Sequence, residues 1–342
     1  MVDITLNTLP WHKHPRYTLG HWPTPLEPLR NLSAELGGPT IWVKRDDCSG
    51  LAVGGNKTRK LEYLVGDALQ QGADSVITFG AVQSNHARQT AAACAKAGLA
   101  CYQVLSQSVA DRPPAYETNG NVLLGNLLGA QQYILAPQDV RSFTQELLTQ
   151  LRDAGHRPYV IPAGGSNALG ALGYATCVEE LMTQSVAQEV DLSCVIHASS
   201  SAGTQAGLLY GLAQFGHHCK VLGINVYHDN PATLKANVTT LVNDLQQSFG
   251  TPEAPIGPVE VNHAYLGDGY GHATADCQSA IRSAASVEGL LFDPVYSGKA
   301  LSATMDQIAI GNLNDHRDIV LIHTGGSPAL YVYDQELLAK AQ

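Results

Sequence analysis

The chain has 342 residues, 44% of them hydrophobic and 15% charged, with a formal net charge of -10 at pH 7. That length suits one large or two medium domains, and the acidic balance argues against a nucleic-acid surface, which needs a basic stripe. Seven scattered cysteines with no C-x-x-C pair argue against a disulfide framework or a zinc site and for reduced thiols.

In chain order, residues 1–10 lack the basic segment and apolar run of a signal peptide. No stretch reaches the roughly 18 apolar residues of a membrane helix, so a cytoplasmic protein without membrane association is expected. The run TIWVK at 40–44 predicts a strand, and 56–71 a helix with Asn56 as its cap. A strand over 75–79, an Ala-rich helix over 86–97 and a strand over 99–105 follow. A helix at 117–128, a strand at 133–135, a helix at 140–154 and a strand at 157–161 continue the alternation. Further on, strands are predicted at 194–198, 221–226 and 319–323, and helices at 205–214, 273–288 and 299–311. Strand–helix alternation at this spacing gives right-handed crossovers and an α/β fold, its parallel sheet covered on both faces. Ligands on such sheets sit beyond the C-terminal strand ends. Pro162-Ala163-Gly164-Gly165 marks a hinge, with a matching crossing near Gly72. The expected division is a large domain of residues 1–71 plus 171–342 and a small inserted α/β domain of 72–170.

Six loops can carry chemistry. Gly54-Gly55-Asn56-Lys57 turns tightly into a helix. Lys57 then lies at a helix N-terminus, where the dipole disfavours a cation and lowers an amine's pKa. A neutral amine attacks an aldehyde. The alternative is a solvated basic helix start, since Arg59 and Lys60 follow. Ser84 and Asn85 open the next helix and suit a carboxylate or ring hydroxyl, or simply cap it. Ser199-Ser200-Ser201-Ala202-Gly203-Thr204 follows a buried strand, where small residues let backbone N–H groups wrap a phosphate. It carries neither a P-loop nor a dinucleotide fingerprint, so a nicotinamide-dependent dehydrogenase is disfavoured. Gly164–Gly173 reads as a close-packed or lid-forming loop. Asp293-Pro294-Val295-Tyr296-Ser297 and His323-Thr324-Gly325-Gly326 complete the set, with His323 read as a packed histidine. The thirteen histidines show no zinc spacing, so no metal site is expected.

Together the loops resemble the family of D-cysteine desulfhydrases and 1-aminocyclopropane-1-carboxylate (ACC) deaminases. The resemblance runs from Pro23 to Tyr331. It rests on KRDD from Lys44, GGNKTRKLEYL from Gly54, QSNHARQTAA from Gln83, PAGGSNALGALGY from Pro162, DPVYSGKA from Asp293 and HTGGSPAL from His323. It implies the tryptophan-synthase-β-like fold (fold type II) of pyridoxal 5'-phosphate enzymes. Such a fold has two three-layer αβα domains with mainly parallel sheets, usually in a homodimer. It also implies roles for matching residues. Lys57 would carry the cofactor covalently. Ser201, Ala202, Gly203 and Thr204 would cradle its phosphate. Asn85 would meet its ring hydroxyl, and Thr324 its pyridine nitrogen. Ser84 would hold the substrate carboxylate, and Tyr296 and Tyr270 would flank the substrate.

Within that family, deaminase-like members carry Glu after the tyrosine of D-P-V-Y and an apolar residue before the last Gly-Gly. Ser297 and Thr324 stand here instead. A carboxylate would keep the pyridine nitrogen protonated and deepen the electron sink; a hydroxyl leaves it shallower. That suffices to expel a thiolate, so the resemblance implies β-elimination of D-cysteine to pyruvate, ammonia and hydrogen sulfide. The segment Tyr270-Gly271-His272-Ala273-Thr274 departs from the relatives' Gly-Tyr-Gly-Pro-Asn-Glu. His272 with Arg112 or His228 could favour a second acidic group, which makes L-cysteate, with sulfite as leaving group, the main alternative. ACC deamination and cofactor binding without turnover are the others.

Overall fold

The computed structural model describes residues 9–338. It contains two sheets. The strands are β1 (Leu26–Pro28), β2 (Thr40–Lys44), β3 (Ser75–Ala81), β4 (Ala100–Ser106), β5 (Gln131–Leu135), β6 (Pro158–Ile161), β7 (Cys194–Ser199), β8 (Lys220–Asn225), β9 (Glu260–Asn262) and β10 (Asp318–Ile322). A six-stranded sheet runs β1-β2-β10-β7-β8-β9, and a four-stranded sheet runs β5-β4-β3-β6. Every pairing is parallel except β1 with β2. The smaller sheet draws its strands from residues 75–161; the larger takes its strands from the chain on either side.

The helices are α1 (Arg30–Leu36), α2 (Lys57–Gln70), α3 (Asn85–Ala97), α4 (Asn121–Leu127), α5 (Val140–Asp153), α6 (Ala168–Gln188), α7 (Gly203–Gln214), α8 (Pro231–Phe249), α9 (Ala275–Glu288), α10 (Ser297–Ala309) and α11 (Asp334–Leu338). Strand β10 shows why the large sheet is covered on both faces. Val320 and Ile322 pack with Val195 against α6, α7 and α8. Ile319 and Leu321 pack with Ile196 against α9 and α10. Alternate residues thus serve opposite layers, and a strand buried on both faces reads as an unbroken apolar run.

The longest helix, α6, overturns the reading of 164–173 as a loop. Residues 163–165 form a single tight turn, and the helix starts at Ala168 with the Asn167 side chain accepting from Gly170 N. Its glycines serve packing. A Cβ on Gly173 would lie 2.5 Å from the Arg59 carbonyl, so α2 and α6 can approach only because it is absent. The predicted helix over 117–128 is also shorter, because a 3-10 turn over Pro114–Glu117 precedes α4. Strands β1 and β9 and helices α1 and α8 carried no sequence signal strong enough to read.

Candidate active site

Helix α2 is anchored by charge. Arg59, 1% exposed, meets Asp46 at 2.7 Å and Glu180 at 2.8 Å, and Lys44 meets Glu180 at 2.7 Å. The Arg59 guanidinium and the Lys44 ammonium hold both carboxyls below their usual range. Arg59 and Lys60 are therefore buried groups, which rules out a solvated basic helix start. The cluster ties α2 to β2 and α6 and fixes where the first residue of α2, Lys57, emerges.

Lys57 projects into a cavity of about 700 Å³. The cavity lies beyond the C-terminal ends of β3, β7 and β10, where α2, α3 and α7 begin, as expected for ligand sites on parallel sheets. Burial pushes the Lys57 amine down to about 8. The sequence reading assigned this depression to the helix dipole; desolvation is the cause in the structure. Asn56 holds the cap position, but its side chain makes no capping bond. Its N–H donates to Thr324 O at 3.1 Å, which joins the turn before Lys57 to the loop after β10.

Ser84, Asn85, Ser201, Ala202 and Thr204 share this lining with Lys57. Ser84 caps α3, its Oγ accepting from Ala87 N at 3.1 Å, and the same residue lines the cavity. Around Ser201–Thr204 the chain forms a cradle at the start of α7. Ala202 adopts φ +68, and Ser201 Oγ meets Ser166 Oγ at 2.8 Å. Gly203 is not in the lining; it backs the loop. A Cβ there would fall 2.6 Å from Ser166 Oγ and 2.7 Å from Lys60 Nζ.

Lys60 and Ser166 are the residues that sequence reasoning missed. Lys60 is fully buried, and among the described residues its Nζ reaches only Ser166 Oγ at 3.0 Å and Gly164 O at 3.3 Å. No carboxylate among the described residues pairs with it. Burial and the neighbouring Lys57 push its amine well down. The Ser201–Thr204 loop at the start of α7, with Ser201 and Thr204 in the cavity lining and the Lys60 amine against Ser166 behind it, suits a phosphate group. The available signal was spacing, since residues three apart share a helix face.

Tyr296 and Tyr270 face the same cavity with their hydroxyls 2.5 Å apart. Burial pushes both phenols up, so both stay protonated at neutral pH. Thr324 also lines the cavity. Ser297 does not. It is 1% exposed, and its hydroxyl donates to Asp293 Oδ1 at 2.6 Å, away from the cavity. His272 is likewise outside the lining, set against Arg112 at 3.2 Å, while Arg112 pairs with Glu336. Of the three residues considered for a second acidic group, His228 alone lines the cavity, and its Nε2 is 3.0 Å from Ser200 O. His86 joins the lining unforeseen, with Nε2 2.8 Å from Thr78 Oγ1. His323 is packed as read, stacked on Phe292 at 4.0 Å.

Comparison with known proteins agrees with this geometry. The family described as pyridoxal-phosphate dependent enzyme matches residues 17–325. The D-cysteine desulfhydrase of Serratia proteamaculans is 44% identical over 94% of this chain and 97% of its own. That of Klebsiella pneumoniae is 43% identical over 95% and 98%. A crystal structure of an ACC deaminase homologue superposes with a TM-score of 0.87 at 36% identity, covering 96% of this chain and 97% of that one. The two-sheet α/β architecture is thus fold type II, and the chain belongs to the D-cysteine desulfhydrase family of pyridoxal-phosphate dependent enzymes.

Proposed function

We propose that this enzyme eliminates hydrogen sulfide from D-cysteine in the cavity around Lys57. The overall change is D-cysteine plus water to pyruvate, ammonia and hydrogen sulfide; the Cα–H and Cβ–S bonds break, and the released enamine takes up water. Bound at Lys57, pyridoxal 5'-phosphate supplies the electron sink for loss of the Cα proton. The Ser201–Thr204 loop, with Lys60 beneath it, holds the phosphate. The Ser84 hydroxyl and the start of α3 hold the substrate carboxylate. The Lys57 amine, when free, is the base that takes the Cα proton, because burial lowers it to about 8. The phenols of Tyr296 and Tyr270 stay protonated, so the pair donates a hydrogen bond to the departing sulfur.

The observation that carries this reading is Thr324. It lines the cavity beside the turn that precedes Lys57, at the position where deaminase-like members carry an apolar residue, and Ser297 stands where they carry Glu. A shallow electron sink favours expulsion of a good leaving group over opening of a cyclopropane ring. The named relatives, curated as D-cysteine desulfhydrases, support the same choice. We take residues 72–170 as the small domain, a homodimer as the assembly and the cytoplasm as the compartment. Seven free cysteines support the last of these. Among the described residues no helix is long and apolar enough to cross a membrane.

The test is a panel on the purified holoenzyme: D-cysteine, L-cysteine, β-chloro-D-alanine, L-cysteate and ACC. Keto acid, sulfide and sulfite are measured. Sulfide and pyruvate from D-cysteine should exceed keto acid from ACC. Equal rates from ACC would overturn the reading of Thr324. Fastest release of sulfite from L-cysteate would keep β-elimination and replace the substrate.

A further inference from the structure

Arg88, Asn121 and Asn85 form a chain of side-chain hydrogen bonds behind the cavity wall. Arg88 is 1% exposed, and no carboxylate among the described residues pairs with it. Its Nε donates to Asn121 Oδ1 at 2.8 Å. Its terminal nitrogens reach Gly54 O at 3.1 and 3.2 Å and also Ala52 O. Those carbonyls belong to the turn before Lys57, where Ala52, Val53 and Gly54 adopt φ of +42, +68 and +67.

Asn121, the first residue of α4, is 3% exposed. Its backbone N–H donates to Gln83 Oε1 at 2.9 Å, which pins it to the loop carrying Ser84 and Asn85. Its Nδ2 donates to Asn85 Oδ1 at 2.9 Å and lies 3.2 Å from Gln83 O.

The order of donors is forced. A guanidinium has no acceptor, so the Asn121 atom facing Arg88 must be its oxygen. That turns the Asn121 NH2 toward Asn85, and the Asn85 atom receiving it must be oxygen too. Asn85 Nδ2 is left over. It has no protein partner among the described residues, and Asn85 lines the cavity.

We propose that Asn121, held by Arg88, is a positioning residue that fixes Asn85 with its N–H toward the cavity, where it meets the ring oxygen of the bound cofactor. The proposal rests on the reading of Asn85 as the contact of that oxygen. A donor there stabilises the ionised oxygen, whereas a carbonyl would repel it. The two ends of an amide are nearly the same size, so packing alone would not choose between them. The polarity is set instead by a residue that cannot accept, two side chains away.

The test is a pH titration of the visible absorbance of the holoenzyme, together with the cofactor dissociation constant. Asn121→Asp keeps an acceptor for Arg88 and gives it a counter-charge, but it offers Asn85 an acceptor in place of a donor. Asn85 should turn over and present its oxygen. The pH at which the ring oxygen titrates should then rise by about one unit or more, a tenfold change in the equilibrium, and cofactor affinity should fall. Asn85→Ala removes the donor itself and should shift the titration in the same direction. Adding Asn121→Asp to Asn85→Ala should give no further spectral shift, although a merely structural role would. If Asn121→Asp does not fold, Asn121→Ala frees the Asn85 amide and should shift the titration less, with the same sign. Should Asn85→Ala shift the titration while the folded Asn121 variants titrate like the parent, the positioning role is wrong and the reading of Asn85 survives. An unshifted Asn85→Ala would remove the reading of Asn85 and the proposal with it.

Discussion

Tyr270 and Tyr296 meet hydroxyl to hydroxyl at 2.5 Å, although 26 residues apart in sequence. Tyr296 precedes α10, and Tyr270 comes from the loop before α9. Their rings stand 5.8 Å apart at 60°, and Tyr227 packs against Tyr270 at 4.9 Å. Each phenol is buried and next to another, so neither ionises readily, and at neutral pH the pair can donate a hydrogen bond but cannot serve as a base.

Tyr296→Phe should therefore lower sulfide release strongly while leaving the cofactor bound. The change keeps the ring's packing and removes the hydroxyl. A loss of roughly 10- to 100-fold is the size expected for removing a hydrogen bond to a departing thiolate, about 1.5–3 kcal/mol. Steady-state sulfide production and the holoenzyme's visible spectrum measure the two halves. Normal turnover would reduce Tyr296 to a wall of the cavity.

Lys60→Gln should weaken retention of the cofactor more than it alters turnover by the enzyme that remains loaded. A hydrogen bond to a charged group contributes about 1.5–3 kcal/mol, which corresponds to roughly a 10- to 100-fold rise in the dissociation constant. Equilibrium dialysis against pyridoxal 5'-phosphate reads the change. Unchanged affinity would mean that Lys60 plays no part in holding the phosphate.

Uptake of cofactor by the cofactor-free enzyme should depend on pH in one direction. The neutral Lys57 amine is the reactive form, and its pKa lies at about 8. Below that value each unit of pH should slow the growth of the visible band about tenfold, and above it the rate should level off. A rate still climbing up to the range of an ordinary lysine, about 10.4, would show that Lys57 is not desolvated.

Much of this was legible because chemistry and backbone coincide at strand ends. Lys57, Ser84, Asn85 and the 201–204 loop all lie where a strand hands over to a helix, and each loop could be read from small residues before a helical run. Helix α6 was not legible in the sequence. Gly170 and Gly173 look like loop residues, but they are glycines because α2 lies against them. Lys60 was discounted because a second lysine and an arginine beside Lys57 look like a solvated face. Only the fold reveals that Asp46 and Glu180 neutralise Arg59 and that no carboxylate among the described residues pairs with Lys60. Ser297 and His272 stand in informative motifs, yet they turn toward Asp293 and Arg112 respectively, and side-chain direction at a loop is set by such partners. The link from Arg88 through Asn121 to Asn85 joins three separate stretches of chain and has no local signature.

Lys57, and not Lys60 one helical turn away, is the residue joined to the cofactor, although burial pushes both amines down. Borohydride reduction of the holoenzyme, followed by peptide mass mapping, tests this most directly. The reduced cofactor's mass should appear on Lys57, with Lys60 unmodified. The mass on Lys60, with Lys57 free, would contradict it.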